Sequence, residues 1–279
     1  MTDINLLKEN AKQMWSTFSA FESITGMAAP ELVKFSGLQK GDKVCDIGCV
    51  TGVVAITAAQ SGARVKGSDL TPKLIERARE NSVISGFDID FQVADVEELP
   101  YDDNSFDYVL SQFGHMFAPQ PFKATEEMLR VLKPGGVIAF STWPPELLTG
   151  RLFVLTAKYG KPQPDGVHSP VEWGEVAEIK KRLGDRVKDI SFHRSQYGNP
   201  ALSPAHMRIL LEKHIGPIAA TVQMLKHDES KLTLFRSEID VLLGEYFENN
   251  TVIQSYLMTR AVKISVSYTH LRAHETSRY

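Results

Sequence analysis

VCDIGCVTG, residues 44–52, decides how this chain is read. Val44, Cys45 and Ile47 form a short apolar run suited to a buried strand. Gly48 and Gly52 bracket a tight turn into VVAITAAQSG, a segment of helix length that stops at glycine. A strand entering a helix through such a turn leaves unpaired N–H groups aimed beyond the strand end, where a polar or anionic ligand can take them. Val50 is the anomaly: a β-branched side chain stands where a ligand loop would ordinarily carry another glycine.

The alternation repeats outward from this segment. ARVKGSD, IDFQVAD, FDYVLSQ and GVIAFSTW read as strands, while PKLIERARENSVISG and FKATEEMLRVLKPGG read as helices closed by turns. Strands alternating with helices of this length predict an α/β fold with a parallel sheet covered on both faces. Such a sheet binds its ligand beyond the carboxyl ends of its strands, where Gly48, Asp69, Asp95 and Ser111 all fall. Ahead of the first strand, residues 6–21 carry an apolar helical face and ELVKFSG suggests a second short helix.

After Trp143 the spacing predicts helices over LLTGRLFVLTAKYG and VEWGEVAEIKKRLG, with KPQPDGVHSP a Pro/Gly-rich loop between them. A strand at residues 187–194, helices at 205–225 (broken near Pro217) and 231–247, and a last strand at 252–262 complete the pattern. Residues 1–37 are thus expected to be N-terminal helices able to cover a substrate, and 38–265 one domain with helical insertions. Residues 266–279 read as a frayed tail and resemble translated adapter or vector sequence, so His270 and His274 carry no functional weight.

The 279 residues are 43% hydrophobic, enough for a substantial core, and the net charge of -3 gives no general attraction to phosphate backbones or anionic lipid. We therefore expect no nucleic-acid partner. No segment approaches the roughly 20 apolar residues of a membrane span, and the charged start lacks a signal-peptide pattern, so a cytoplasmic protein without stable membrane insertion is expected. Cys45 and Cys49, the only cysteines, read as reduced buried thiols and not as half of a zinc site, and no metal is expected.

Three aspartates stand at strand ends. Asp46 can order the loop by accepting local N–H groups or reach an amino group on a ligand. Asp69 can hold both hydroxyls of a ribose or cap the next helix. Asp95 can accept from an exocyclic amine, with the Val96 N–H donating to an adjacent ring nitrogen, or serve as a turn residue. His115, in SQFGHMF, is placed to face a substrate and accept a proton near neutral pH, or to bond only within its loop. Trp15, Phe18, Phe21, Met116, Phe117, Trp143 and Trp173 are candidates for an apolar pocket.

In ordered combination, VCDIGCVTG, GSDLTPKLIERARE, VADVEELPYDDNSFDYVLSQFGHMF and EEMLRVLKPGGVIAFSTW resemble a class I S-adenosylmethionine-dependent methyltransferase of the ubiquinone/menaquinone-biosynthesis or related small-molecule type. The likeness covers about residues 30–143. It implies a Rossmann-like sheet of seven strands in the order 3-2-1-4-5-7-6, with the last strand antiparallel. It also implies S-adenosylmethionine as cofactor, with Asp46, Gly48 and Gly52 on its methionine and sugar side and Cys49 and Leu70 beside them. Asp69 would bind ribose, Asp95 and Val96 adenine, and Ser111, Gln112 and Phe113 would border the transfer site. RVLKPGG resembles a structural helix-to-strand turn. The implied activity is direct in-line methyl transfer to a small-molecule acceptor. Two alternatives are a noncatalytic binding protein on the same scaffold, which Val50 favours, and an NAD(P)-dependent oxidoreductase. The second is disfavoured because valines replace the later glycines of its G-x-G-x-x-G loop.

Overall fold

A computed structural model describes residues 3–160 and 162–265. The tail assigned to residues 266–279, with His270 and His274, lies outside the described residues. The chain opens with α1 (Asp3–Met14), a 3-10 stretch (Trp15–Phe21), the single turn α2 (Glu22–Thr25) and α3 (Ala29–Ser36). Gly37, at φ +81°, stops α3 in the left-handed conformation.

The alternating half follows as β1 (Lys43–Ile47), α4 (Val53–Gln60), β2 (Arg64–Asp69), α5 (Pro72–Ile84), β3 (Asp90–Val93), β4 (Phe106–Gln112), α6 (Pro121–Val131) and β5 (Leu132–Thr142). The rest comprises α7 (Leu148–Tyr159), α8 (Val176–Leu183), β6 (Val187–Pro200), α9 (Pro204–His214), α10 (Gly216–Leu225), α11 (Glu229–Gly244), β7 (Phe247–Glu248) and β8 (Thr251–Lys263). The helix expected over residues 205–225 divides at Ile215, which has extended backbone (φ -94°, ψ 105°), one residue before the N-terminus of α10.

The long strands run in the order β3-β2-β1-β4-β5-β8-β6, and the two-residue β7 pairs with β8 as an eighth strand. β1 to β5 are parallel neighbours, and β8 is antiparallel to both β5 and β6. Except for the two-residue β7, this is the seven-strand order and the antiparallel last strand that the resemblance implied. β1 is buried along four of its five residues because helices cover both faces of a parallel sheet. The RVLKPGG stretch, expected to be a turn, runs from the end of α6 directly into β5, whose pairing with β4 shifts register there; a Cβ on Gly136 would lie 2.8 Å from the Asp107 carbonyl oxygen, and Lys133 pairs with Asp107 at 2.6 Å.

One hydrophobic core lies against the sheet around Val44, Leu110, Met128 and Phe140. A second joins Phe21 to α7, α9, α10 and α11 through Leu152, Leu211, Ile218 and Phe235. These later helices therefore build an apolar body that meets the N-terminal segment. Among the described residues, no helix is long and apolar enough to cross a membrane.

Candidate active site

Asp46, next to last in β1, is 1% exposed. Its Oδ2 accepts the Ala55 N–H at 2.9 Å, so a strand carboxylate caps the first turn of α4, while Oδ1 has no protein partner. Burial pushes its pKa up to about 8 against that hydrogen bond, and the charge of Asp69 adds to the rise. A folded-state pKa above the unfolded value means that the stability contributed by protonated Asp46 is fully present below about pH 4 and is lost as pH rises towards 8. Asp46→Asn should therefore gain melting temperature relative to the parent at pH 8 and much less at pH 5. Equal differences at the two pH values in thermal melts would exclude this assignment.

Gly48 has φ +61°, and a Cβ there would approach the Gly114 Cα to 2.8 Å. A Cβ on Gly114 would in turn meet the Gly48 carbonyl oxygen at 2.4 Å. The two glycines thus let the loops after β1 and β4 touch backbone to backbone. Gly52, at φ +82°, faces Phe91, and the cavity is lined by its neighbours Cys49, Val50 and Val53.

Val50 has φ +53°, the left-handed region where a β-branched residue is strained. Asp69 holds it there. One Asp69 oxygen accepts the Val50 N–H at 3.0 Å and the other accepts the Thr71 N–H at 2.8 Å. Asp69 braces the turn into α5 and borders the cavity with lone pairs still open. Burial raises its pKa, opposed by those backbone hydrogen bonds. Cys49 and Leu70 border the same cavity, and burial pushes the Cys49 thiol well up, leaving it unreactive.

Asp95 and Val96 form part of the same wall. One Asp95 oxygen accepts the Glu97 N–H at 2.8 Å, and the other lies 2.6 Å from the Lys8 ammonium. Lys8, on α1, also reaches buried Glu97 at 2.5 Å. Although burial disfavours its charge, hydrogen bonds to Asp95 and Glu97 raise the Lys8 pKa. The first helix is thus fastened to the end of β3 by an ion triad that nothing in the local sequence around Asp95 announces.

At the end of β4, Gln112 donates to the Thr25 carbonyl at 2.7 Å and presents an unpartnered Oε1. Ser111 lies off the wall. It is fully buried, donating to the Ile47 carbonyl at 2.6 Å and accepting the His115 N–H at 3.1 Å, which braces the loop. Phe113, at φ +60°, stacks on Trp143 with ring centroids 3.8 Å apart.

His115 also lies against the cavity. Its ring borders the cavity but is 1% exposed, wedged between Phe140 and Trp173, with both nitrogens unpartnered. Burial, then the charge of Arg182, pulls its pKa down to about 3. A ring so reluctant to protonate stays neutral at physiological pH and is a poor proton acceptor.

These groups converge on one cavity of about 580 Å³. Asp46, Gly48, Asp69 and Asp95 line its polar side, and Trp15, Phe18, Phe117, Phe153 and Ile215 its apolar side. Phe21 and Trp143 join that apolar wall, whereas Met116 and Trp173 belong to the packing behind it. The unpartnered oxygens of Asp46 and Gln112 fit the donor groups of an amino-acid moiety, and Asp69 fits a diol. The residues present therefore suit an adenosyl amino acid, and the volume lies within the ordinary range for a small-molecule site. Sequence reasoning missed Lys8, Thr149, His168, Tyr197 and Gln254, which line the wall from distant segments. Only His168 carried a local signal, a carboxylate four residues on at Glu172. Among the described residues, no cluster of His, Cys, Asp or Glu could hold a metal ion.

Residues 45–140 match the family described as Methyltransferase domain. An uncharacterised protein of Mycobacterium tuberculosis, Rv1403c, is 31% identical over 256 residues, covering 90% of this chain and 93% of the other. A demethylmenaquinone methyltransferase from Clavibacter sepedonicus is 39% identical over 122 residues, 42% of this chain and 49% of that enzyme. The structure of the YcgJ protein from Bacillus subtilis superimposes with TM-score 0.56 at 18% identity over 86% of this chain and 99% of that one, a likeness of fold.

Proposed function

As the chain belongs to the class I S-adenosylmethionine-dependent methyltransferases, with S-adenosylmethionine as its cofactor, we propose that it transfers a methyl group by direct in-line displacement to a small, largely apolar acceptor. The observation that carries this reading is the continuity of the cavity, whose carboxylate-lined side opens onto a wall of aromatic and aliphatic side chains.

In this reading Asp46, Gly48, Cys49 and Gln112 hold the amino-acid end of the cofactor. Asp69 and Leu70 hold its ribose, and Asp95 and Val96 its adenine. The bound cofactor supplies an electrophilic methyl group on a sulfonium centre whose charge disappears on transfer. The protein's task is then to align an acceptor lone pair behind that methyl group and to keep water away. Stacked Phe113 and Trp143 stiffen the wall next to β4, and Trp15 packs on Phe117 with ring centroids 4.7 Å apart.

Residues 1–37 serve as the cover. Lys8 ties α1 to Asp95 and Glu97, so this segment must lift for exchange and close for chemistry. The two buried free thiols suit a reducing, cytoplasmic compartment.

Calorimetric titration with S-adenosylhomocysteine beside NAD tests the reading. We expect saturable heat with the former and none with the latter, and the reverse would remove it. The acceptor is then sought by labelled methyl transfer across quinols, phenols, amines, thiols and arsenite.

A further inference from the structure

The segment from Val167 to Pro170 borders the cavity and leads into a 3-10 turn, Pro170–Gly174. That turn brings Glu172 back beneath His168, with the carboxylate Oε2 3.0 Å from the ring Nδ1. The same Oε2 pairs with Nη2 of Arg182, whose side chain is fully buried and whose guanidinium lies 4.7 Å from the Trp173 ring centroid. Trp173 packs on His115 with ring centroids 4.6 Å apart. A backbone contact of 3.5 Å from the His168 N–H to the Pro119 carbonyl ties the loop to the segment after β4. Phe122 meets the imidazole edge-on at 6.0 Å.

This geometry defines the ring's chemistry. With Nδ1 against a carboxylate, Nδ1 carries the hydrogen and Nε2 keeps its lone pair. Glu172 thereby fixes the orientation of the ring, and Arg182 pairs with the same carboxylate oxygen. The His168 side chain is 38% exposed, so an acquired proton has a route to water. His115 has none of these supports.

We propose that His168, positioned by Glu172, is the proton acceptor for methyl transfer to an aromatic hydroxyl group. The inference rests on the methyl-transfer reading and names its substrate class. The aromatic wall of Trp15, Phe117 and Phe153 suits a phenol or quinol ring. A neutral phenolic oxygen is a weak nucleophile, so a base is needed where an amine or thiolate would need none. The acceptor oxygen forms a bond to the methyl carbon with its own electron pair. The carbon–sulfur bond breaks with its pair left on sulfur, and the phenolic proton moves to Nε2 and later to water.

Two measurements test the proposal. In ¹⁵N-labelled protein, the His168 ring should show hydrogen on Nδ1 and a free Nε2, and Glu172→Gln should perturb that signature. Hydrogen on Nε2 would overturn the proposal without any turnover assay. With isotope-labelled donor and catechol, hydroquinone and an alkylphenol as acceptors, His168→Asn should lower kcat about 10²–10⁴-fold. Its S-adenosylhomocysteine affinity, read by calorimetry, should stay within about two-fold, and Glu172→Gln should lower kcat with little change in KM. Retained turnover in His168→Asn overturns the base assignment. Methylation of amines or thiols alone, or no transfer by a protein that binds S-adenosylhomocysteine, overturns the substrate class. Absence of that binding instead removes the underlying methyl-transfer reading.

Discussion

Val50→Gly should bind S-adenosylhomocysteine about ten-fold or more tightly than the parent, a change of about 1.4 kcal/mol. Val50 is at φ +53° on the cavity wall, and its N–H is committed to Asp69. The left-handed conformation costs an L-residue on the order of 1–2 kcal/mol. That cost is already present in the free protein, so it weighs on stability. Glycine relieves it but gives back about 0.5–1 kcal/mol through the entropy of the unfolded chain, and the melting temperature should rise slightly or hold. The affinity gain comes from elsewhere: glycine removes three carbons from the surface along which the cofactor's amino-acid end must lie. Parallel calorimetric titrations decide the matter, and equal affinities would show that the valine side chain is accommodated without cost.

Asp69→Ala should abolish measurable S-adenosylhomocysteine binding, a loss of about 100-fold or more, and should also lower stability. Its carboxylate accepts two backbone N–H groups, those of Val50 and Thr71, from either side of the crevice. Removing a buried acceptor leaves donors unsatisfied at about 1–3 kcal/mol each. With that brace gone, nothing restrains Val50 in its strained conformation, and the ribose acceptor disappears with it. Asp69→Asn keeps one acceptor oxygen and should fall between the two in melting temperature. Binding is measured well below each variant's melting temperature. An alanine variant that melts early but binds normally would make Asp69 purely structural.

Much of the fold was legible because it is written locally. Apolar runs at residues 44–47 and 106–112, with glycine-stopped helices between strands, leave few arrangements for a parallel sheet. The aspartates at strand ends were legible for the same reason, since strand direction alone sends their side chains to one edge. For Ser111 and Gly52, sequence position cannot tell a group facing a cavity from one braced behind it. Ser111 bonds to Ile47 and His115, and Gly52 packs on Phe91. The surroundings of His115 are likewise not local. Its place after β4 follows from the sequence, but the Phe140 and Trp173 rings that desolvate it come from elsewhere in the chain.

By itself, the sequence determined the order of strands and helices, the edge of the sheet at which polar groups gather, and the oddity of Val50, because these follow from neighbours a few residues apart. Tertiary structure alone decided which of those groups are charged, braced or free. Desolvation and hydrogen bonding act over a few ångströms of space, and they join Lys8 to Asp95 and Arg182 to Glu172 across loops that local patterning does not encode.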